Sequence, residues 1–273
     1  MTTMASPSTA PSASAPAEAG RRPSASHPGA WSLYRTVLRW NLLSVGPMLP
    51  VVIVLQVFMA AGIILGFALL IPGIDDLPDM ALHMSTGAPT IQLLIVGLVM
   101  VPQAVATARN NGTFAYMRAL PVPRPILLAA DLTVWMVVAL PGLAASMGVA
   151  LLRFDLSLDP TWPLLIGAAL LVSIMSAAVG YAIAVTLRPV IAQAATQALV
   201  FFILLFSPVT FPASHLPRWL ESAHDWLPIR PAADLLRLGL ASGDYTWQTR
   251  DLIILLVWTV VSMAICLRAL SRR

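Results

Sequence analysis

The sequence predicts an all-α integral membrane protein with six transmembrane helices, an N-terminal interfacial helix and a short helical re-entrant segment between spans five and six. Three observations carry this reading. The chain is 58% apolar and only 10% charged, whereas a soluble domain carries about 25% charged residues. Its apolar residues gather into six runs, each near the roughly 20 residues a helix needs to cross a hydrocarbon core. Most of the charges fall between those runs, and such short connections leave no room for a second folded domain.

Residues 1–30 are rich in Ser, Ala, Pro and Thr. With almost nothing to bury, they read as a disordered cytoplasmic tail. They do not read as a signal peptide, because the first apolar run starts near residue 45, is too long for an h-region and has no small-residue cleavage site after it. Residues 31–273 read as the transmembrane domain. At its start, Ser32, Arg35, Thr36 and Arg39 share one helical face, while Leu33, Tyr34, Val37, Leu38 and Trp40 cover the other. This is the pattern of an interfacial amphipathic helix over Trp31–Leu43, and Gly46-Pro47 predicts a break before the first span.

The spans are expected at Val45–Ile71, Thr90–Ala108, Ile126–Leu152, Trp162–Leu187, Ile191–Phe211 and Asp251–Leu270. Between spans two and three lies Arg109-Asn-Asn-Gly-Thr-Phe-Ala-Tyr-Met-Arg-Ala-Leu-Pro-Val-Pro-Arg124. Arginines, asparagines and a glycine open a short amphipathic helix there, and Pro-Val-Pro stops it. Phe114, Tyr116 and Met117 form a compact knob of the kind that anchors interfaces, while Arg109 and Arg118 suit acids on a partner. The fifth connection, Ser207–Arg250, is too polar for a span. Its prolines and its Trp219, Trp226 and Trp247 predict short helices at or dipping into the outer leaflet, where irregular backbone must be covered by protein or a wet cavity.

Arginine placement sets the expected orientation. With the N-terminus in the cytoplasm, Arg21, Arg22, Arg35, Arg39, Arg109, Arg118, Arg124, Arg188, Arg268, Arg272 and Arg273 lie inside. Only Arg153, Arg218, Arg230, Arg237 and Arg250 lie outside, and Asp75, Asp76 and Asp79 fall in the first outer loop. Both termini are then cytoplasmic. Although the pI is about 10.0, spreading the arginines along membrane edges argues for topology and against nucleic-acid binding.

All sixteen basic residues are arginine. A Walker A loop needs a lysine at the nucleotide phosphates, so the chain cannot be a P-loop ATPase by itself. The single cysteine, Cys266, makes no internal disulfide and reads as a small buried residue. His215, His224 and Asp225 lack zinc-ligand spacing, and no metal is expected. Gln56, Gln92, Gln103, Gln193, Thr196 and Gln197 sit in or near spans, where buried amides either bond helix to helix or line a path. Gln56 and the one-face set Gln193, Thr196 and Gln197 are the candidate pathway residues. Asp131, early in span three, is expected to pair with Arg124.

Four segments resemble the membrane subunit of ABC-2-type transporters, the group that includes bacterial drug, antibiotic and polysaccharide exporters. They are the interfacial helix, Gly112–Arg124, Phe211-Pro-Ala-Ser-His-Leu-Pro-Arg-Trp-Leu220, and Leu227-Pro-Ile-Arg-Pro-Ala-Ala-Asp-Leu-Leu-Arg237. The first loop departs from the family's pattern, with Asn110, Asn111 and Ala115 where acids are common. The resemblance implies a permease in a bacterial plasma membrane that moves an amphipathic small molecule, a lipid-linked product or a peptide. It implies two soluble ATP-binding subunits, which carry the ATP and Mg, and a second permease, identical or similar. It makes Arg109, Asn110, Asn111, Gly112, Thr113, Phe114, Tyr116, Met117 and Arg118 the ATPase-coupling set, and Leu216, Trp219, Leu220 and Trp226 part of the outer re-entrant segment. Two other classes fit the residues less well. A proton-coupled secondary transporter calls for paired mid-span charges and internal repeats, of which only Asp131 is present. A membrane-embedded enzyme calls for a His, Asp, Glu or Ser cluster near one face, which the sequence lacks.

Overall fold

The computed structural model describes residues 29–71, 73–154, 159–209 and 217–271. Among these every regular element is helical. The helices are α1 (Ala30–Val45), α2 (Leu49–Leu70), α3 (Pro78–Ile95), α4 (Val101–Asn110), α5 (Thr113–Ala119), α6 (Arg124–Phe154), α7 (Trp162–Thr186), α8 (Pro189–Phe206), α9 (Arg218–His224), α10 (Ile229–Leu240) and α11 (Thr249–Ser271). Six helical runs are long and apolar enough to cross a membrane: Ala30–Leu70, Pro78–Asn110, Arg124–Phe154, Trp162–Thr186, Pro189–Phe206 and Thr249–Ser271. The protein is therefore an all-α, multi-pass membrane protein.

The predicted break at Gly46-Pro47 is a single 3₁₀ turn, Gly46–Met48, between α1 and α2. Contacts on α6 show that the run bends there. Tyr34 Oη lies 3.0 Å from Thr133 Oγ1, and Gln56 Nε2 donates to the Val138 carbonyl at 3.0 Å. On a straight helix Tyr34 and Gln56 would be roughly 33 Å apart, while Thr133 and Val138 are separated by about 7.5 Å. Side chains cannot cover that difference, so α1 folds back onto the start of α6, with Val37 packed on Leu127 and Ala130. The exposed face of α1 carries Trp31, Arg35, Arg39 and Trp40, as an interfacial helix requires.

Span two starts twelve residues before its predicted Thr90, at Pro78. Residues 85–90 are polar or small and all are buried. They face protein, so a hydropathy reading, which measures affinity for lipid, passes over them. The same span carries a π-helical turn, Val96–Met100, between α3 and α4, with Pro89 and Pro102 on either side. π turns interrupt the regular ladder and mark places where a helix can readjust.

Helix α7 is the hub. It packs against α3, α4, α6, α10 and α11, and its inward face is built of small residues. Added carbon at Gly97 would sit 2.2 Å from Ser176 Oγ, and at Gly180 it would sit 2.0 Å from the Gly97 carbonyl. Spans two and four thus touch backbone to backbone, the close approach that small residues permit between membrane helices. Gln56 and Gln92 add a polar tie, with Gln92 Nε2 donating to the Gln56 carbonyl at 2.9 Å. Such interhelical bonds are worth on average about 0.6 kcal/mol in membranes, enough to fix register and too little to drive assembly alone. Large apolar side chains of α2, α8 and α11 point away from the bundle, Phe58, Phe201 and Val260 among them.

Candidate functional site

The loop between spans two and three is built by its own arginines. α4 ends at Asn110, and Gly112 takes φ +77°, a left-handed conformation that glycine adopts without a side-chain clash. That residue turns the chain directly into α5, a two-turn helix that ends before Pro121 and Pro123. Arg109 reaches 75 and 78 residues along the chain: its Nη1 donates to the carbonyls of Ala184 and, at 2.6 Å, Leu187. These are orphan acceptors at the C-terminal end of α7, where a cation also complements the helix dipole. Arg124 Nη1 donates to the Arg118 carbonyl in the last turn of α5. Arg124 therefore closes this loop, where the sequence suggested a pair with Asp131, and Asp131 is half-buried.

The exposed tip of this loop is Asn110, Asn111, Gly112, Thr113, Ala115, Tyr116 and Ala119. Tyr116 is 61% exposed and meets Trp40 of α1 edge to face, with ring centroids 6.5 Å apart. Phe114 turns inward and packs against the main core, while Met117 and Arg118 are half-buried. The expected two-ring knob is thus divided, Tyr116 facing outward and Phe114 inward. Arg109, expected to meet a partner's acids, is committed to α7. The contribution of α1 to this face, through Trp40, was missed in the sequence, where nothing local links residues 40 and 116.

The second candidate region is the connection between spans five and six. His215 and Leu216 lie outside the described residues. Trp219 and Trp226 are exposed and Leu220 is buried, which gives α9 one wet or interfacial side and one packed side. α10 is nearly all buried, including Arg237 at 1% exposure. The Arg237 guanidinium meets Asp234 Oδ1 at 2.9 Å, His83 Nε2 of α3 at 2.8 Å and the Val209 carbonyl after span five. Burial pulls its pKa below the ordinary arginine value and Asp234 opposes that pull, and a guanidinium starts high enough to stay charged. Around it Arg230 pairs with Asp225 at 2.6 Å, and Arg250 donates to the Asp225 carbonyl at 3.0 Å. Trp258 Nε1 of the last span donates to the Trp226 carbonyl at 3.0 Å. Arg237 joins three elements, a role that residue order did not reveal. Its one local signal is a lone charge inside Leu235–Leu240.

The candidate pathway residues separate. Gln56 is buried and committed to the α2–α6 and α2–α3 ties described above. Thr196 is buried, with its hydroxyl on the Gln193 carbonyl at 3.0 Å. Gln193 and Gln197 instead stand exposed on α8 beside Ala194, Ala195 and Ala198. Two carboxamides on the outside of an apolar span are costly against lipid, so this face calls for protein or water.

Over residues 87–268, two thirds of the chain, the sequence matches the family model described as ABC-2 family transporter protein. No curated protein matches it.

Proposed function

The chain belongs to the ABC-2 family of transporter proteins and is the membrane subunit of an ABC transporter, and on that premise we propose that it is the permease of an ATP-driven exporter in a bacterial plasma membrane. The observation that supports this most directly is the loop Arg109–Arg124. It is a short, rigidly braced helix with an uncharged aromatic and amide tip, held at the end of spans two and three and tied to span four. Such a knob is suited to transmit force from a docked protein, and it offers no chemistry of its own. ATP and Mg belong to that docked subunit, since the chain contains no lysine for a phosphate loop.

In this reading two ATPase subunits dock on two permeases, each through Asn110, Asn111, Thr113 and Tyr116, with Trp40 at the margin. The permeases, identical or similar, meet where α8 exposes Gln193 and Gln197, and the same face borders the path. ATP binding draws the docked subunits together and rocks the permeases between access states. The cargo is an amphipathic small molecule, drug or antibiotic among them, a lipid-linked product or a peptide. Both termini lie in the cytoplasm.

Purification of the tagged chain from its own membrane, with mass spectrometry of what accompanies it, tests the reading. An ATPase carrying a Walker A lysine is expected in about equal amount. Purification of the chain with no ATPase, in a detergent that keeps the fold, would overturn it.

A further inference from the structure

Helix α7 connects the two regions just described. At its C-terminal end the carbonyls of Ala184 and Leu187 accept from Arg109, four residues before α5 begins. At its N-terminal end the Thr161 amide donates to the Gly239 carbonyl of α10 at 3.0 Å, and Thr161 Oγ1 lies 3.1 Å from Ser242 Oγ. There the backbones touch: a carbon added to Gly239 would lie 2.7 Å from Leu165 Cα. Between these ends α7 is one α-helix of 25 residues, roughly 37 Å long. Its one proline lies in the first turn, where it does no harm. Span two also runs from the outer region to α5, but it is interrupted by the π turn Val96–Met100 and carries Pro89 and Pro102. The stiffer route is α7. Gly97 of the π turn lies against Ser176 and Gly180, and Ser176 Oγ also donates to the Leu93 carbonyl near the end of α3 at 3.3 Å, so α4, α7 and the last turn of α3 can shift together while the earlier part of α3 stays behind.

We propose that α7 is a rigid rod carrying displacement of the docking helix α5 to the outer cap α10, with Arg109 and Gly239 as the positioning residues at its two joints. The inference rests on docking of an ATPase at α5. Its consequence at the far end is specific. α10 is tied to α7 through Gly239 and to α3 through Arg237 and His83. When α7 moves against α3, the Arg237–His83 contact is the one that yields, and the cap loosens from α3.

The test uses the full chain in membranes with its co-purifying ATPase, in a Cys266→Ser background carrying Ala233→Cys on buried α10. Labelling by a membrane-impermeant maleimide is read with and without ATP plus vanadate, and normalised to the ATPase recovered. Labelling is expected to rise with nucleotide by about fivefold or more, the low end of common coupling between sites. In Gly239→Val the ATPase should still be recovered, and the rise should disappear. Arg109→Gln should also lose it, and Arg109→Lys, which can still donate to both carbonyls, should restore part of it. If Gly239→Val or Arg109→Gln fails to fold, Gly239→Ala and Arg109→Lys carry the test, each with a reduced rise expected. A full rise in all variants, or no rise in the parent with ATPase bound, overturns the rod. Loss of ATPase from the parent itself points instead to failure of the docking assignment.

Discussion

Tyr116 and Phe114 lie two residues apart in one short helix and face opposite ways, which separates two effects that the sequence joined. Tyr116 is exposed beside Trp40, where truncating an aromatic anchor seated in a partner's cleft can cost about 2 kcal/mol or more. Tyr116→Ala is therefore expected to weaken ATPase association by more than about tenfold, at roughly 1.4 kcal/mol per decade, while the permease keeps its thermal stability. Phe114 packs on the core. Phe114→Ala should lower permease stability by less than the roughly 3–5 kcal/mol of a fully buried phenylalanine. Binding of the ATPase to both variants, with melting of each permease alone, checks the division. Equal loss of association in both with unchanged melting would show a two-ring knob after all. Arg109 and Arg237 carry the lesson further. Arg109 reaches carbonyls 75 residues or more away, and Arg237, besides its neighbour Asp234, reaches His83 154 residues away.

At the scale of elements, α10 is packed on α3, α7 and α11 and is not part of a free loop, while α9 is held through Leu220 and His224. α10 is buried on nearly every residue, and α9 exposes Trp219 and buries Leu220 and His224. Residues 217–240 should resist protease in intact membranes, and Trp219 and Trp226 should emit at shorter wavelength than tryptophan in water, because an interface surrounds them. Rapid cleavage with water-like emission would make the region an ordinary exposed loop. Orientation is tested alongside. In Cys266→Ser, cysteine at Ser222 should label from outside intact cells and cysteine at Asn111 should not. Labelling of Asn111 from outside would invert the topology and put the proposed docking face on the wrong side of the membrane.

The whole molecule leaves one surface unexplained by lipid. α8 is only sparsely packed within the chain, and its outward face holds Gln193 and Gln197 among alanines. Small residues let membrane helices approach closely, and facing carboxamides bond across such a contact. If two copies meet there, Gln197→Cys in the Cys266→Ser background should form a disulfide-linked dimer under mild oxidation in membranes. Val260→Cys on lipid-facing α11 should not. Dimer from Val260→Cys and none from Gln197→Cys would place the contact elsewhere.

Much of the architecture was legible in residue order because insertion into hydrocarbon is a local property: a run of about 20 apolar residues crosses wherever it sits in the chain. The six spans were readable this way, the amphipathic α1, the turn at Gly46-Pro47 and the short helix after Gly112 from their local residue patterns, and the family resemblance from four short motifs. What lay beyond reach depends on which atoms meet after folding. Residues 85–89 were passed over as part of span two because they are polar or small and buried against protein, which a measure of affinity for lipid does not register. Thr196 went inside while Gln193 and Gln197 stayed out, since a face shared at helical spacing says nothing of where the neighbours stand. The arginines of the loop looked available for a partner until tertiary packing brought the open end of α7 within reach of Arg109. A helix end presents unsatisfied carbonyls that must find donors, and only the packing of spans two and four decides that this donor is Arg109, at the end of α4.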